Sequence, residues 1–595
     1  MDGTIKHTEV DLAGLMRVLG EALYSTPRVA IRELVQNAHD SCIRRRLETG
    51  DERQNTVRVT CDAAAQTITV EDTGAGLTDD EIERYLATIG RGYTRELRDD
   101  KGDGDLIGYF GLGFLSTFVI ADSTEVRTCS YKTPDKSWLF STKDGQRYSI
   151  RPGQTRPIGT QVTLRIKDSQ RELADAAVLE HVLRRYCALL PMEVTLGGRP
   201  INVATPPWRL SEDTGSLVRS KLTLEWASIF EPVYSPLCTI DVDEPELELS
   251  GVIWVQDGGS YASSDSRHVS VFVRGMLISD DERELLPAWA GFCGAVFESR
   301  QLQPTASRES LQKNAHLTQV KSTIAARLIE GLAKIAQRQP STWSRVLTRH
   351  NEALLGAALS EPQLFDLVAD GVTLPTTEGE LTVPEVLSRC KGKIYLGVSE
   401  KSGFAELLFR ALKLPVVDSA RYAAAPFAAR YADVRRGTIV RLGTKEGDRV
   451  LFGKSQLVPE DEATIRSWFE DLDAQIVIAS FAPAAVPFVV VPDEDVVRKR
   501  RIESDDVERN MSSGALHLAR MFTEKIQDRG AARLFVNASC PLLTDLLQAA
   551  PDKRERALAL LRPLTTLLAH GAAPAGDIET ALAAYCDGLR MILAE

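Results

Sequence analysis

The nine residues Arg32-Glu33-Leu34-Val35-Gln36-Asn37-Ala38-His39-Asp40 constrain this chain more than any other stretch. Written on a helix, Glu33, Asn37 and Asp40 fall at i, i+4 and i+7, so two acids and an amide share one stripe that would otherwise be apolar. Such a stripe predicts a site rather than a core face. Two glycine-bearing stretches follow it, Asp72-Thr73-Gly74-Ala75-Gly76 and Gly108-Tyr109-Phe110-Gly111-Leu112-Gly113-Phe114. Asp72 comes directly after the β-prone run Thr67-Ile68-Thr69-Val70 and Glu71, which predicts a strand ending in a carboxylate.

An amide between two acids suits a ligand that carries its own negative charge. Facing a nucleoside triphosphate, the protein can hold Mg²⁺ through one neutral oxygen, that of Asn37, while phosphates and waters complete the shell. Glu33, one turn earlier, is then placed to orient or deprotonate the attacking water. Asp72 can accept a hydrogen bond from an adenine amino group, and Gly74 and Gly76 let the backbone approach the base closely. Gly108, Gly111 and Gly113 predict a flexible turn whose amides face the phosphates at the start of the next helix. The chain has no Walker-type Gly-Lys-Ser/Thr, so the phosphates are held by another route. Singly, each signal is weak: a Gly-x-x-Gly-x-Gly is often a plain turn and an Asp-x-Gly-x-Gly often a hairpin. Their order, each at a strand–helix junction, carries the reading.

Together these motifs resemble the ATP site shared by gyrase, heat-shock protein 90, histidine kinases and MutL, the GHKL group. Leu23-Tyr24-Ser25 before Ile31-Arg32-Glu33-Leu34, Thr88-Ile89-Gly90 before Thr94, and Ile107 through Phe114 narrow the resemblance to the heat-shock protein 90 chaperones, including their bacterial type. Gly159-Thr160 before Gln161-Val162-Thr163-Leu164 is similar to a further adenine-side element of that family. The resemblance implies an α+β chain opening on a GHKL (Bergerat) α/β sandwich, with ATP and Mg²⁺ as ligands. It also implies nucleotide contacts from Asp40, Leu77, Arg91, Thr94, Phe110, Leu112, Phe114 and Thr160.

Further along, Leu285-Leu286-Pro287-Ala288-Trp289 and the run from Leu302 to Gln312 are similar to the family's middle domain, whose Ser-Arg-Glu loop supplies an arginine to the ATP γ-phosphate. The resemblance gives that role to Arg308, with Gln312 nearby. Read without it, Arg308 is a surface ion pair with Glu309 or a neighbouring acid. The family's usual asparagine three residues before this arginine is Thr305 here, and its Leu-Pro step is shifted to Gln303-Pro304.

The rest of the chain sets the frame. Its 595 residues are enough for three or four domains, and 43% hydrophobic with 26% charged content is ordinary for a globular protein. Lys and Arg number 71 against 83 Asp and Glu, a net charge of −12 that argues against nonspecific nucleic-acid binding as the main task. The start shows no apolar signal segment, and no run of about 18 apolar residues suggests a membrane span, so a cytoplasmic location is expected. Nine cysteines without a Cys-x-x-Cys pair read as reduced packing residues.

The first linker falls at Ala204-Thr205-Pro206-Pro207-Trp208. The expected division is 1–203 for the ATP-binding domain, 204–458 for an α/β middle domain carrying the arginine loop and client contacts, and 459–595 for a mainly helical dimerisation domain. Strands are expected over Leu249–Val255 and Val269–Met276, a helix from Leu317 to Ile335, and a polar lid-like segment over 95–105. Arg44-Arg45-Arg46 is expected as the solvated end of the motif helix, where cations suit the dipole. Ile578, Leu582, Tyr585, Leu589 and Leu593 step by 4, 3, 4 and 4, a stripe that by pattern alone fits a helical pair within the chain as well as one between two copies, and that the resemblance assigns to dimerisation.

The whole then reads as an ATP-dependent homodimeric chaperone acting on client proteins, with no specific nucleic-acid or membrane partner. Two alternatives stand beside it: a GHKL clamp of another class, such as MutL-like DNA repair or phage defence, and a nucleotide-switched binding module with little turnover.

Overall fold

Helix α1 (Val29–Thr49) carries the motif stretch and stops at Gly50, whose left-handed φ of 68° lets its N–H close the last turn on Arg46 O. Its apolar residues Ile31, Leu34, Val35, Ala38, Cys42 and Ile43 are buried, and so are Arg32, Glu33, Gln36, His39, Asp40 and Arg44. A helix covered on so much of its circumference is a layer between other layers. In the computed structural model the chain is described over 26–569 apart from 52–54, 89–90, 94–105, 109–112, 144, 146, 203–204, 212, 232, 259–264, 306–308, 398–413, 443, 473, 508–512, 525, 528–529 and 531, and again at 582, 584–586 and 589.

Beneath α1 lies an eight-stranded sheet. Its strands are β1 (Thr56–Asp62), β2 (Thr67–Asp72), β3 (Ala121–Cys129), β4 (Ser137–Thr142), β5 (Tyr148–Pro152), β6 (Gly159–Ile166), β7 (Glu193–Leu196) and β8 (Arg199–Pro200), in the order β5-β4-β3-β6-β2-β1-β7-β8. All neighbours are antiparallel except β1 and β7. Alternate residues Val57, Val59, Ile68, Val70, Leu164 and Ile166 point into one core with Ile31, Leu34, Val35 and Ala38 of α1. Each such buried aliphatic contributes about 1.5–3 kcal/mol, so the helix is pinned to the sheet by its apolar side and its polar residues are forced to face elsewhere. Among the described residues this part also holds α2 (Asp79–Tyr85), started by a Thr78–Glu81 capping box, the short α3 (Thr117–Ile120), and α4 (Ala176–Cys187).

A second sheet follows, ordered β12-β11-β13-β10-β9 and built from β9 (Pro236–Glu244), β10 (Leu249–Gln256), β11 (His268–Val273), β12 (Met276–Ser279) and β13 (Cys293–Ser299). Helices α5 (Ser216–Phe230) and α6 (Ala315–Arg338) pack on it. The run expected as one strand over 269–276 is two strands. Arg274 and Gly275 take φ of 52° and 83°, the geometry of a two-residue hairpin, and Val273 pairs with Met276 across it.

Trp226, Val252, Trp254, Phe272 and Val296 share a continuous core with the first sheet's Val194 and Leu196. Both sheets therefore lie in one compact unit, and the chain divides into two such units between Val346 and Leu347, inside the span expected as the middle domain.

In the second unit, a five-stranded sheet joins strands from Thr373–Thr376 to Thr438–Arg441. A four-stranded sheet includes Ala474–Ser480, Phe488–Pro492 and Ala532–Asn537. The part from 459 onward, expected as mainly helical, thus carries a sheet as well as its helices. The reason is physical: Phe488, Val489, Val490 and Val491 are all buried, so this strand is a continuous apolar run without the alternation that marks a half-exposed strand. Of the C-terminal stripe, Leu582 and Leu589 are exposed, whereas Ile578 and Leu593 lie outside the described residues. Among the described residues no helix is long and apolar enough to cross a membrane. Seven of the nine cysteines, Cys42, Cys129, Cys187, Cys238, Cys293, Cys390 and Cys540, are free and buried, which agrees with packing.

Candidate active site

β2 delivers Asp72 to the end of the first sheet, paired with Val57 on one side and Thr160 on the other, and its side chain is buried. Two donors converge on one carboxylate oxygen: Ser41 Oγ at 3.0 Å and the Gly74 N–H at 2.8 Å, both to Oδ1. Burial raises the Asp72 carboxyl to about 6, opposed by the Gly74 N–H, the Ser41 hydroxyl, the Arg156 charge and the Thr160 N–H. At neutral pH it is therefore chiefly an ionised acceptor. Thr128 supports the same floor: its Oγ1 accepts the Leu77 N–H at 2.8 Å and lies 3.1 Å from Thr160 Oγ1.

The two glycines after Asp72 serve the chain's own packing. A Cβ on Gly74 would fall 2.6 Å from Cys42 N, and one on Gly76, whose φ is 65°, would fall 2.9 Å from Ser130 Cα. The loop is stitched between helix and strand by Ala75 N–H to Ser41 O and Tyr131 N–H to Ala75 O, each at 3.0 Å. Both glycines thus make room for α1 and β3, and Gly76 also lines the cavity described below.

Glu33 and Asp40 stand two turns apart on α1, about 10.5 Å along its axis, and each meets one end of the glycine-bearing stretch. Asp40 accepts the Ile107 N–H at 2.9 Å on one oxygen and the Gly108 N–H at 2.6 Å on the other, with His39 Nδ1 3.1 Å from Oδ1. At the far end, a Cβ placed on Gly113 would come within 2.6 Å of Glu33 Oε2, so the carboxylate lies against a bare backbone. Arg32 donates to Glu33 Oε1 at 3.1 Å, and its guanidinium sits 5.7 Å from the centre of the Tyr186 ring. Ser116 Oγ to Gly113 O and Thr117 Oγ1 to Phe114 O, at 2.6 and 2.7 Å, fix the turn that leads into α3.

Between floor and turn is a cavity of about 1010 Å³ including its open mouth. Nine of the residues singled out in the sequence line it: Asn37, Asp72, Gly76, Leu77, Arg91, Gly108, Gly113, Phe114 and Thr160. Asn37 is the one exposed residue in the middle of α1's buried stretch. Gly74 and Asp40 stand behind the lining and position it. Thr94, Phe110, Gly111, Leu112 and Arg308 lie outside the described residues. Gln312 is exposed, and its side-chain amide donates to Pro304 O at 2.9 Å within its own loop, where Thr305 Oγ1 lies 3.1 Å from Ser310 Oγ.

Sequence reasoning missed Ser41 and Arg44. Leu34, Asn37, Ala38, Ser41 and Arg44 all line the cavity at steps of 3, 1, 3 and 3, so extending the helical stripe past Asp40 finds them. Arg44 also overturns the expectation of a solvated triple-arginine end. It is buried, bonded to Glu48 at 3.1 Å and to Glu81 at 2.5 Å, and 5.1 Å from the centre of the Tyr93 ring. Arg45 reaches Thr73 O at 2.8 Å, leaving Arg46 as the exposed member. Three adjacent arginines on a helix point in three directions, and only one of those is water here.

Comparison with known proteins matches two parts of this architecture. The family described as "Histidine kinase-, DNA gyrase B-, and HSP90-like ATPase" matches 24–152, which holds α1, Asp72 and both ends of the glycine stretch. The family described as "Hsp90 protein" matches 243–362, which holds β10 to β13 of the second sheet and the loop of Arg308 and Gln312. Both matches are to parts of the chain, and both point to similarity with the heat-shock protein 90 family.

Among similar proteins, the chaperone protein HtpG of Roseobacter denitrificans is 27% identical over 409 residues, 66% of each chain. That of Paramagnetospirillum magneticum is 29% identical over 354 residues, 55% of each chain. That of Bordetella pertussis is 27% identical over 384 residues, 58% of this chain and 59% of the relative. The matched stretch therefore spans less than two thirds of these relatives' length.

Proposed function

We propose that this chain binds ATP with Mg²⁺ in the α1 cavity, hydrolyses it, and uses the cycle to open and close a homodimeric clamp on client proteins. The observation that carries this is the pairing on α1: Glu33 set against the bare backbone of Gly113, with Asn37 one turn away in the cavity and Asp72 at its floor. In this reading Asp72 accepts from the adenine amino group, and the N–H of Gly108 and the Gly113 turn meet the phosphates. Glu33 receives a proton from the attacking water, with Arg32 holding its carboxylate in place. In this reading the cation is held mainly by phosphates, waters and the Asn37 amide. Mg²⁺ would neutralise developing charge on the phosphates.

Arg308 supplies the second domain's contribution, a guanidinium for the charge that gathers on the γ-phosphoryl group when the clamp closes. The three-part division at 203 and 458, a cytoplasmic site of action, and dimerisation through the C-terminal stripe complete the proposal. Exposed Leu582 and Leu589 support the last of these.

The test is steady-state ATP hydrolysis with nucleotide binding measured beside it. Glu33→Ala should bind ATP and lose hydrolysis, and Arg308→Ala should lower the turnover number by one to several orders of magnitude, against about 10³ to 10⁵ for arginine fingers in related chemistry. Wild-type turnover in Glu33→Ala would remove the proposed base.

A further inference from the structure

We infer that Arg274, on the second sheet, is a positioning residue that fixes the Gly108 end of the glycine-bearing stretch and so sets nucleotide affinity from outside the ATP-binding segment; the affinity part rests on the ATP reading above. Its Nη1 donates to Leu106 O at 2.8 Å across a sequence separation of 168 residues. The N–H of the same peptide group, that of Ile107, is held by Asp40 Oδ1 at 2.9 Å, and the next N–H, that of Gly108, by Oδ2 at 2.6 Å. The Leu106–Ile107 peptide is thus gripped at both ends, its oxygen by the second sheet and its N–H by α1. A planar peptide held at both ends has no freedom to rotate, and Gly108, which lines the cavity, is the next residue along.

The grip is firm on the arginine's side. Arg274 sits at the tip of the β11–β12 hairpin, where its own N–H donates to Ser299 O of β13 at 3.0 Å. Gly275 is buried, and a Cβ there would lie 2.7 Å from Leu189 O, so the tip is wedged against the chain that follows α4. On the receiving side, Leu106 and Ile107 are buried, and water cannot readily replace a charged donor at that carbonyl. The second sheet therefore acts on the resting shape of the pocket through Arg274, separately from the chemistry proposed for Arg308. Loss of Arg274 leaves Glu33 and Asn37 in place, so it should weaken binding of substrate and transition state together.

The experiment uses the full chain with Arg274→Ala, Arg274→Lys and Gly275→Ala. It reads ADP affinity by calorimetry, kcat and KM for ATP, and nucleotide-free amide exchange at Ile107 and Gly108. Arg274→Ala should weaken ADP binding about five- to fifty-fold, in the range of one lost charged hydrogen bond to a buried group. It should raise KM in proportion with kcat within about twofold, and speed exchange at Ile107 and Gly108 while β9 to β13 keep their protection. Arg274→Lys retains a donor and should recover part of the affinity. Gly275→Ala moves the hairpin tip without touching the guanidinium and should reproduce the pattern, so the idea stays testable if Arg274→Ala folds poorly. Wild-type exchange at Ile107 and Gly108 in both Arg274→Ala and Gly275→Ala would overturn the inference, as would a uniform loss of protection through both sheets. A wild-type chain that binds no ADP would instead overturn the ATP reading, and the exchange comparison, which uses no nucleotide, would still decide whether Arg274 holds this peptide.

Discussion

Asp72 is a carboxylate whose state depends on where the chain buries it. With its carboxyl at about 6, it is roughly ten-elevenths ionised at pH 7 and one-eleventh at pH 5. Ionised, it accepts from an adenine amino group. Protonated, one of its oxygens becomes a donor facing another donor. Affinity for adenosine, a probe without titrating phosphates, should fall about tenfold between pH 7 and pH 5, and Asp72→Asn should bind weakly at both. A flat calorimetric profile over that interval would show that this carboxylate does not face the base. Stability runs the other way: the folded carboxyl binds its proton more tightly than the unfolded one, so the contribution favours folding below about 4 and is withdrawn as pH rises through 6.

Helix α1 and the stretch from Gly108 to Gly113 work as one element because two acids, two turns apart, engage its two ends. The far end is the more exacting. Since a methyl group on Gly113 would lie 2.6 Å from Glu33 Oε2, Gly113→Ala must push the carboxylate aside or lift the turn. It should lower kcat for ATP by about tenfold or more, because small misplacement of a reacting group is costly. ADP affinity should change less, as Asp72 and Gly108 remain where they were. Equal loss of kcat and of ADP affinity would mean that Gly113 supports the whole pocket rather than the geometry of Glu33.

Across the whole molecule, the proposed cycle requires dimerisation and domain cooperation for ATP turnover to become work on a client. The structure fixes where a truncation should be made to test the first. Cys540, Leu543, Leu546 and Leu558 belong to the core that closes the four-stranded sheet, together with Phe488, Leu534 and Val536. Cutting before Cys540 would unfold that sheet and say nothing about the interface. A chain ending at Ala569 keeps the core and removes the stripe from Ile578 onward. It should sediment as a monomer at micromolar concentration with its unfolding midpoint nearly unchanged, and persistence of a dimer would move the interface elsewhere.

What the sequence determined by itself was local and short in range. Helical spacing was enough to place Glu33, Asn37 and Asp40 on one stripe, because a residue's direction on a helix depends only on its number. A β-prone run marked β2 and hence the position of Asp72 at its end. Carried four residues further, the same stripe would have included Ser41 and Arg44. Tertiary structure decided what those positions meet. Arg44 is buried because Glu48, Glu81 and Tyr93 surround it, Gly74 and Gly76 are glycines because α1 and β3 leave no room, and Asp40 holds a peptide backbone that lies 67 residues away. The sheet after residue 459 escaped the sequence reading because burial on both faces erases alternation. Periodicity records only which side of an element avoids water, and each of these partners was chosen by the packing of layers that are distant in the chain.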